Sequence, residues 1–128
     1  MKSIQEIITK LKDKKILVVE DDSFLSKLIF DTFAIALGST NIHIANDGKE
    51  GFNKYLEISP DVVITDIRMP NMSGKELAQQ IKAENSTTPI IVLSAYTREI
   101  GTDHSVDTIL SKPIDFDILF RSIDKLVA

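Results

Sequence analysis

The chain contains no cysteine, so disulfide bridges, thiol redox chemistry and zinc sites built on thiolates are excluded. No apolar run approaches the roughly 18 residues that a membrane-spanning helix needs, and the charged start of the chain does not favour an export signal. A formal net charge of −4 argues against nonspecific binding of nucleic acid by the whole surface. We therefore expect a cytoplasmic protein that binds neither membrane nor nucleic acid directly.

Apolar segments with strand character alternate with segments of helical periodicity along the 128 residues. Strands are predicted at 15–19, 41–45, 61–66, 89–93 and 107–110. Most of them are near-continuous runs of Val, Ile and Leu, which is typical of parallel strands covered by helices on both faces; only the second alternates, as an edge strand does. The sequence therefore predicts a single three-layer α/β domain around a doubly wound parallel sheet.

Polar residues mark the ends of the predicted helices. Asp22 and Asp115 stand at helix starts, Asp47 begins a turn into a helix, Ser73 has the spacing of a capping box, and Gly38 provides a stop. We accordingly interpret Asp22 as a helix cap and not as a metal ligand.

Charged and hydroxyl side chains occur where four of the predicted strands end. They are Glu20, Asp21, Asp66, Ser94 and Lys112. Because parallel strands present their carboxyl ends at one edge of a sheet, these side chains are expected to converge. Three neighbouring carboxylates repel one another unless a cation is bound, and an all-oxygen ligand set favours Mg²⁺ over zinc. The expected chemistry is phosphoryl transfer to a carboxylate, with Asp66 as the nucleophile.

Other proteins built on such a sheet match the residues less well. An FMN site needs hydroxyls, glycines and amides after the first strand, where residues 20–22 are acidic and would repel a phosphate. The P-loop pattern G-x-x-x-x-G-K-[ST] does not occur. Phosphatases of the haloacid dehalogenase type carry a second acid two residues after the nucleophile, where this chain has Arg68.

From residue 14 to residue 128 the chain resembles the receiver domains of two-component response regulators, including those of chemotaxis. The matching segments are 16–22, 60–70, 73–74, 89–95 and 111–113. The resemblance implies a flavodoxin-like (βα)5 fold with strand order 2-1-3-4-5. It also implies a bacterial phosphorelay, in which a sensor histidine kinase or a histidine phosphotransfer protein phosphorylates Asp66.

The same resemblance implies the ligands of the metal. Asp21, Asp66 and the main-chain carbonyl of Arg68 would bind Mg²⁺, while Glu20 would hold the ion through a water molecule. Neither of the two histidines matches a residue of the family's site, and both are expected at the solvated surface.

The remaining roles also follow from the resemblance. Lys112 would pair with Asp66 before transfer and with a phosphate oxygen after it, and Ser94 would donate its hydroxyl to the phosphoryl group. The peptide bond before Pro113 is expected to be cis. The protein would be a signalling switch that catalyses its own phosphorylation and dephosphorylation, and not a turnover enzyme.

Two departures from the family pattern concern how phosphorylation is transmitted. The position three before the lysine, usually aromatic, is Ile109. Ser94 and Lys112 are 18 positions apart, about one helical turn fewer than is typical, so a shortened or irregular helix is predicted over 96–104.

Arg68 and Tyr96 are hypothesised to shield the phosphoryl group from water and so to prolong the phosphorylated state.

A third departure is an amphipathic helical extension over residues 1–13, ahead of the receiver domain at 14–128. Its apolar residues Ile4, Ile7, Ile8 and Leu11 share one face. Because so short a helix is not stable alone, it should either pack on its own domain or pair with a second copy in a weak homodimer.

The sequence does not name the kinase, the stimulus or the downstream partner. With no DNA-binding or enzymatic segment after Ala128, we expect either a stand-alone receiver or a piece of a longer protein. A phosphorylation-independent interaction module on the same scaffold is the alternative function.

Overall fold

The computed structural model describes residues 1–95 and 104–128. Its strands are β1 (Ile16–Val19), β2 (Ile42–Ala45), β3 (Val62–Asp66), β4 (Ile90–Ser94) and β5 (Thr108–Ser111). Its described helices are α1 (Ile4–Leu11), α2 (Ser23–Leu37), α3 (Gly48–Ile58), α4 (Gly74–Glu84) and α5 (Phe116–Leu126). Both Tyr96 and most of the helix predicted over 96–104 lie outside the described residues.

All four strand pairings are parallel, and the sheet has the order β2-β1-β3-β4-β5. One apolar cluster, centred on Phe33, joins the sheet to α1, α2 and α5. A second cluster, which contains Tyr55 and Leu77, joins the opposite face to α3 and α4. The predicted three-layer fold, its strand order and the edge position of β2 are therefore confirmed.

The N-terminal helix α1 packs on its own domain. Ile7 is 2% exposed and Leu11 is fully buried, both in the cluster around Phe33. Lys10 Nζ reaches the end of α5, where it donates to Asp124 Oδ1 at 2.8 Å and to the carbonyl of Val127 at 3.1 Å. The sequence left open whether this helix packs on its own domain or pairs with a second copy, and the structure contains the first arrangement.

The predicted helix ends are confirmed at the caps. Asp22 accepts hydrogen bonds from the backbone of α2, Asp115 caps α5, Ser73 forms a capping box, and Gly38 ends α2 with a φ of 86°. In the described part of the chain, none of the helices combines the length and apolarity needed to span a membrane.

Each strand begins one residue later than predicted, and one histidine is less exposed than expected. Asp107 does not begin β5; its carboxylate accepts from Lys82 Nζ at 2.7 Å and from the Ile90 amide at 2.8 Å, so it ties the start of β4 to α4. His104 is exposed as expected, but His43 is half-buried because it lies in β2, paired in register with Leu17 of β1.

Candidate functional site

The sheet brings four of the predicted site residues to one edge. Asp66 and Ser94 are the last residues of β3 and β4, and Glu20 and Lys112 directly follow β1 and β5. The apolar residues of β1, β3 and β4 are buried and those of β5 are half-buried, so each strand holds the backbone of its site residue in place. The convergence predicted from parallel strand direction is therefore present.

Three carboxylates meet at this edge. Glu20, Asp21 and Asp66 each offer an oxygen, and these oxygens all lie within 4.8 Å of one another. Glu20 is 1% exposed and Asp66 9% exposed, whereas Asp21 faces solvent. The pKa of Glu20 is raised to about 7: burial is the main cause and the charge of Asp66 contributes, while a hydrogen bond from the Asp22 amide acts in the opposite direction.

Lys112 is shared between two of these acids. Its Nζ lies 3.1 Å from Asp66 Oδ1 and 3.3 Å from Glu20 Oε1. Burial lowers the pKa of Lys112, but its hydrogen bond and charge interaction with Asp66, together with Glu20, hold it above its ordinary value. Its backbone N–H donates to the carbonyl of Ser94 at 2.8 Å, and the Lys112–Pro113 peptide bond is cis, as expected.

The backbone around Asp66 shapes the site as well. The amide of Ile67 donates to Asp66 Oδ1 at 2.8 Å, which orients the carboxylate. A Cβ at Gly74 would collide with the carbonyl of Asp66, so glycine is needed where α4 begins. Thr65, fully buried, donates its hydroxyl to the same carbonyl at 2.8 Å. Sequence reasoning missed Thr65, although a lone hydroxyl in an otherwise apolar strand was a usable signal.

The donor set fits a hard divalent cation. Every side-chain ligand is a carboxylate oxygen, and among the described residues the three acids share one lysine, Lys112. Burial, together with the charge of Asp66, raises the pKa of Glu20, so a cation at this position would offset a costly buried charge. Mg²⁺ prefers oxygen ligands and commonly retains several waters, which the exposed side of the cluster at Asp21 can admit.

The other sequence-predicted residues differ in how far they are buried. The hydroxyl-bearing Ser94 is fully buried at the end of β4. Arg68 follows Asp66 by two residues in the same loop, and its side chain is exposed. Ile109 packs against the cluster that contains Tyr55, where it contributes apolar surface and not a mobile ring.

Sequence comparison identifies a single family over most of the chain. The family model described as the response regulator receiver domain matches residues 16–124. The response regulator ArlR of Staphylococcus saprophyticus is 34% identical over 113 residues, which cover 85% of this chain and 50% of that protein. A protein-glutamate methylesterase/protein-glutamine glutaminase of Oceanobacillus iheyensis is 30% identical and matches 83% of this chain and 30% of its own length. The chain thus spans about half the length of ArlR.

Solved structures agree with this result. TrrA of Thermotoga maritima, a response regulator crystallised with Mg²⁺-BeF, superposes with a TM-score of 0.80 at 31% identity and covers 89% of this chain and 99% of its own. The receiver domain of the Francisella response regulator 1452 gives a TM-score of 0.76 at 29% identity over 89% of this chain and 96% of its own.

Proposed function

Because the chain belongs to the family of response regulator receiver domains, the phosphorylation switches of two-component systems, we propose that Asp66 is its phosphoacceptor. The main support for this proposal is the position of the Asp66 carboxylate. It lies at the end of β3, 3.1 Å from the Lys112 ammonium, and oxygens of two further acids lie within 4.8 Å of it. A lone buried acid would have a structural explanation, but an acid held beside a lysine and a cluster of carboxylates has the composition of a phosphoryl-transfer site.

The proposed reaction is a displacement at phosphorus. One carboxylate oxygen of Asp66 forms a bond to the phosphorus of a phosphohistidine while the P–N bond breaks, and the electron pair of that bond stays on the imidazole nitrogen. Lys112 stabilises the phosphoryl oxygens as they leave the donor, since its ammonium already lies within ion-pair distance of Asp66. Asp66 ends as a mixed anhydride, an aspartyl phosphate.

Mg²⁺ is the cofactor we assign to the acidic cluster. Asp21, Asp66 and the main-chain carbonyl of Arg68 would bind it, with Glu20 holding it through water. When bound, the ion would offset the negative charge of the transferring phosphoryl group. Glu20 and Asp21 then need no further role in bond making, and the buried charge of Glu20 is compensated.

Ser94 is the residue we assign to signal the phosphorylated state. It is fully buried at the end of β4, and the carbonyl of Ser94 accepts from the Lys112 amide at 2.8 Å. A hydrogen bond from its hydroxyl to a phosphoryl oxygen on Asp66 would draw the segment after β4 toward the site. The chain would thereby act as a switch that catalyses its own modification and its reversal.

A groove of about 360 Å³ beside Lys112 is where we expect the phosphodonor to dock. Its rim includes Phe24, which is 80% exposed, and Leu28, which is 44% exposed, on the first turns of α2. Apolar side chains so accessible next to the acceptor suit a helix of a cytoplasmic histidine kinase or histidine phosphotransfer protein.

The function is tested by incubating the protein with Mg²⁺ and acetyl phosphate and measuring its intact mass. Wild type and Asp22→Asn, which keeps the helix cap, should gain one phosphoryl group, whereas Asp66→Asn should gain none. Because the proposed reaction depends on Mg²⁺, EDTA should abolish the incorporation of phosphate into the wild type. An unmodified wild type would support the alternative, a phosphorylation-independent interaction module.

A further inference from the structure

The loop over residues 67–73, which follows Asp66, lies directly on the first turn of α3. A Cβ at Gly48, the first residue of that helix, would collide with the carbonyl oxygen of Met72 and lie 2.7 Å from its Cβ. Only glycine lets the loop approach so closely, because even a methyl group would force it away. We call this contact the Gly48 seat.

A hydrogen bond joins the same two segments beside the Gly48 seat. Asp47 caps α3 with Oδ1, which accepts from the Glu50 amide at 2.8 Å, while its Oδ2 accepts from Asn71 Nδ2 at 3.2 Å. Asn71 has a φ of 71°, a left-handed conformation that asparagine adopts more readily than most residues. One carboxylate therefore caps the helix and holds the loop.

The far end of the loop is fixed at the site itself. The amide of Gly74 donates to the carbonyl of Ile67 at 2.8 Å, so the loop returns to within one residue of Asp66. Arg68 lies between that closure and the Asn71 bond. The backbone that carries the Arg68 carbonyl is consequently tied down on both sides.

We propose that Gly48, Asp47 and Asn71 are positioning residues that hold the Arg68 main-chain carbonyl in the direction of the metal. The inference rests on the proposed function, in which that carbonyl is a ligand. Mg²⁺ requires near-octahedral geometry at about 2.1 Å, so a small displacement of one ligand lowers affinity. The three residues act through the loop, because Gly48 lies against Met72 and Asp47 accepts from Asn71.

Three variants remove the seat or the bond by different means. Gly48→Ala pushes the loop outward while favouring the helix, since alanine is the better helix former. Asn71→Gly keeps a left-handed backbone accessible and removes the amide. Asp47→Ser keeps a capping oxygen but lacks the second one.

Two control variants separate loop position from general effects. Lys49→Ala changes an exposed side chain in the same turn. Gly51→Ala also crowds a glycine of α3, but against the side chain of Val19 and not against the loop, so it destabilises the fold by another route.

The primary measurement is the Mg²⁺ dissociation constant of the full chain, from titration with MgCl₂ followed by NMR of the backbone amides. Gly48→Ala should weaken binding about tenfold, in the range found when supports of metal ligands are removed. Asn71→Gly and Asp47→Ser should each weaken it about threefold, and their double variant no more than either, because they remove one shared hydrogen bond. Should Gly48→Ala not fold, the side-chain variants carry the test.

The second measurement is phosphoryl incorporation from acetyl phosphate at limiting and at saturating MgCl₂. The three variants should be slow at limiting metal and should approach the wild-type rate at saturation, and Gly51→Ala should lose thermal stability with wild-type Mg²⁺ affinity. Variants that lose stability but keep wild-type affinity would overturn the positioning role. If the wild type itself neither binds Mg²⁺ nor accepts phosphate, the proposed function is wrong. Failure of the positioning role alone would leave the wild type able to do both.

Discussion

One ammonium group balances two buried acids: Lys112 Nζ lies 3.1 Å from Asp66 Oδ1 and 3.3 Å from Glu20 Oε1. The lysine is anchored by its own backbone, which donates to Ser94 on the neighbouring strand. Because a cation at the acidic cluster and the Lys112 ammonium both compensate the same acids, they should compete electrostatically while they cooperate in phosphoryl transfer.

Lys112→Met should separate these two effects. Phosphoryl uptake from acetyl phosphate should fall about 100-fold, because a preorganised positive group is lost from the site of developing charge. Mg²⁺ affinity should stay the same or rise, because a competing cation has been removed. Rates by intact mass and affinity by MgCl₂ titration check the prediction, with Lys27→Met on the exposed surface as the control. Parallel loss of rate and of metal binding would contradict it.

Glu20→Gln should stabilise the metal-free protein. Glu20 is almost fully buried beside Asp66, and burial raises its pKa to about 7, so its charge is costly in the folded state at neutral pH. Removing that charge should increase the free energy of unfolding in EDTA by about 1 kcal/mol. Urea denaturation measures this, and the exposed Glu57→Gln should leave the unfolding free energy unchanged.

The same variant should respond less to metal. Added MgCl₂ should raise the melting temperature of the wild type more than that of Glu20→Gln, because the ion relieves a repulsion that the variant lacks. An equal or larger metal-induced rise in Glu20→Gln would show that Glu20 takes no part in holding the cation.

Much of the site could be predicted from strand direction alone. The runs before Glu20 and Asp66 are almost wholly apolar, so they form buried parallel strands, and the half-buried strand before Lys112 pairs parallel with β4. Residues that follow parallel strands share one edge of the sheet. Helix caps such as Asp22 could also be predicted from the sequence, because capping depends on a few neighbouring residues.

Features that depend on how distant segments approach each other could not be predicted. The apolar face of α1 is compatible with packing in cis or in trans, and only the burial of Ile7 and Leu11 distinguishes them. The spacing of Gly48 and Met72 in sequence likewise carries no sign of their contact. Sequence periodicity reports which faces are apolar, whereas these contacts depend on where the elements meet.

Phe24→Ser should impair phosphorylation by a protein donor but not by a small one. Phe24 is 80% exposed on the groove beside Lys112, where a donor helix would lie, and acetyl phosphate needs no such surface. We expect roughly a tenfold loss with a phosphorylated histidine kinase or phosphotransfer domain, as is usual when a central aromatic contact is removed.

The matched control for that prediction lies on the same helix. Ile35 is 87% exposed and follows Phe24 by eleven residues, about 16 Å along the helix axis, so Ile35→Ser alters surface apolarity away from the acceptor. Equal losses in Phe24→Ser and Ile35→Ser, or a loss with acetyl phosphate, would argue against docking at the groove.

The attachment of α1 should be pH-dependent through Asp124. Hydrogen bonds from Lys10 lower the pKa of the Asp124 carboxylate, with a weaker contribution from Lys2, below its ordinary value of 3.8. A carboxylate with a lowered folded-state pKa stabilises the fold above its unfolded pKa and loses that contribution as pH falls through the folded one. The stabilisation by this pair should therefore be complete above about pH 5 and decline below about pH 4.

A double-mutant cycle measures this attachment. At pH 7, Lys10→Met should lower the free energy of unfolding by about 1–2 kcal/mol, because Lys10 Nζ donates both to Asp124 Oδ1 and to the carbonyls that end α5. Asp124→Asn should cost less, and the coupling between the two should shrink when urea denaturation is repeated near pH 3.5. Lys12→Met, exposed on the same end of α1, should have no effect. A coupling energy independent of pH would mean that α1 is held by Ile7 and Leu11 and not by the ion pair.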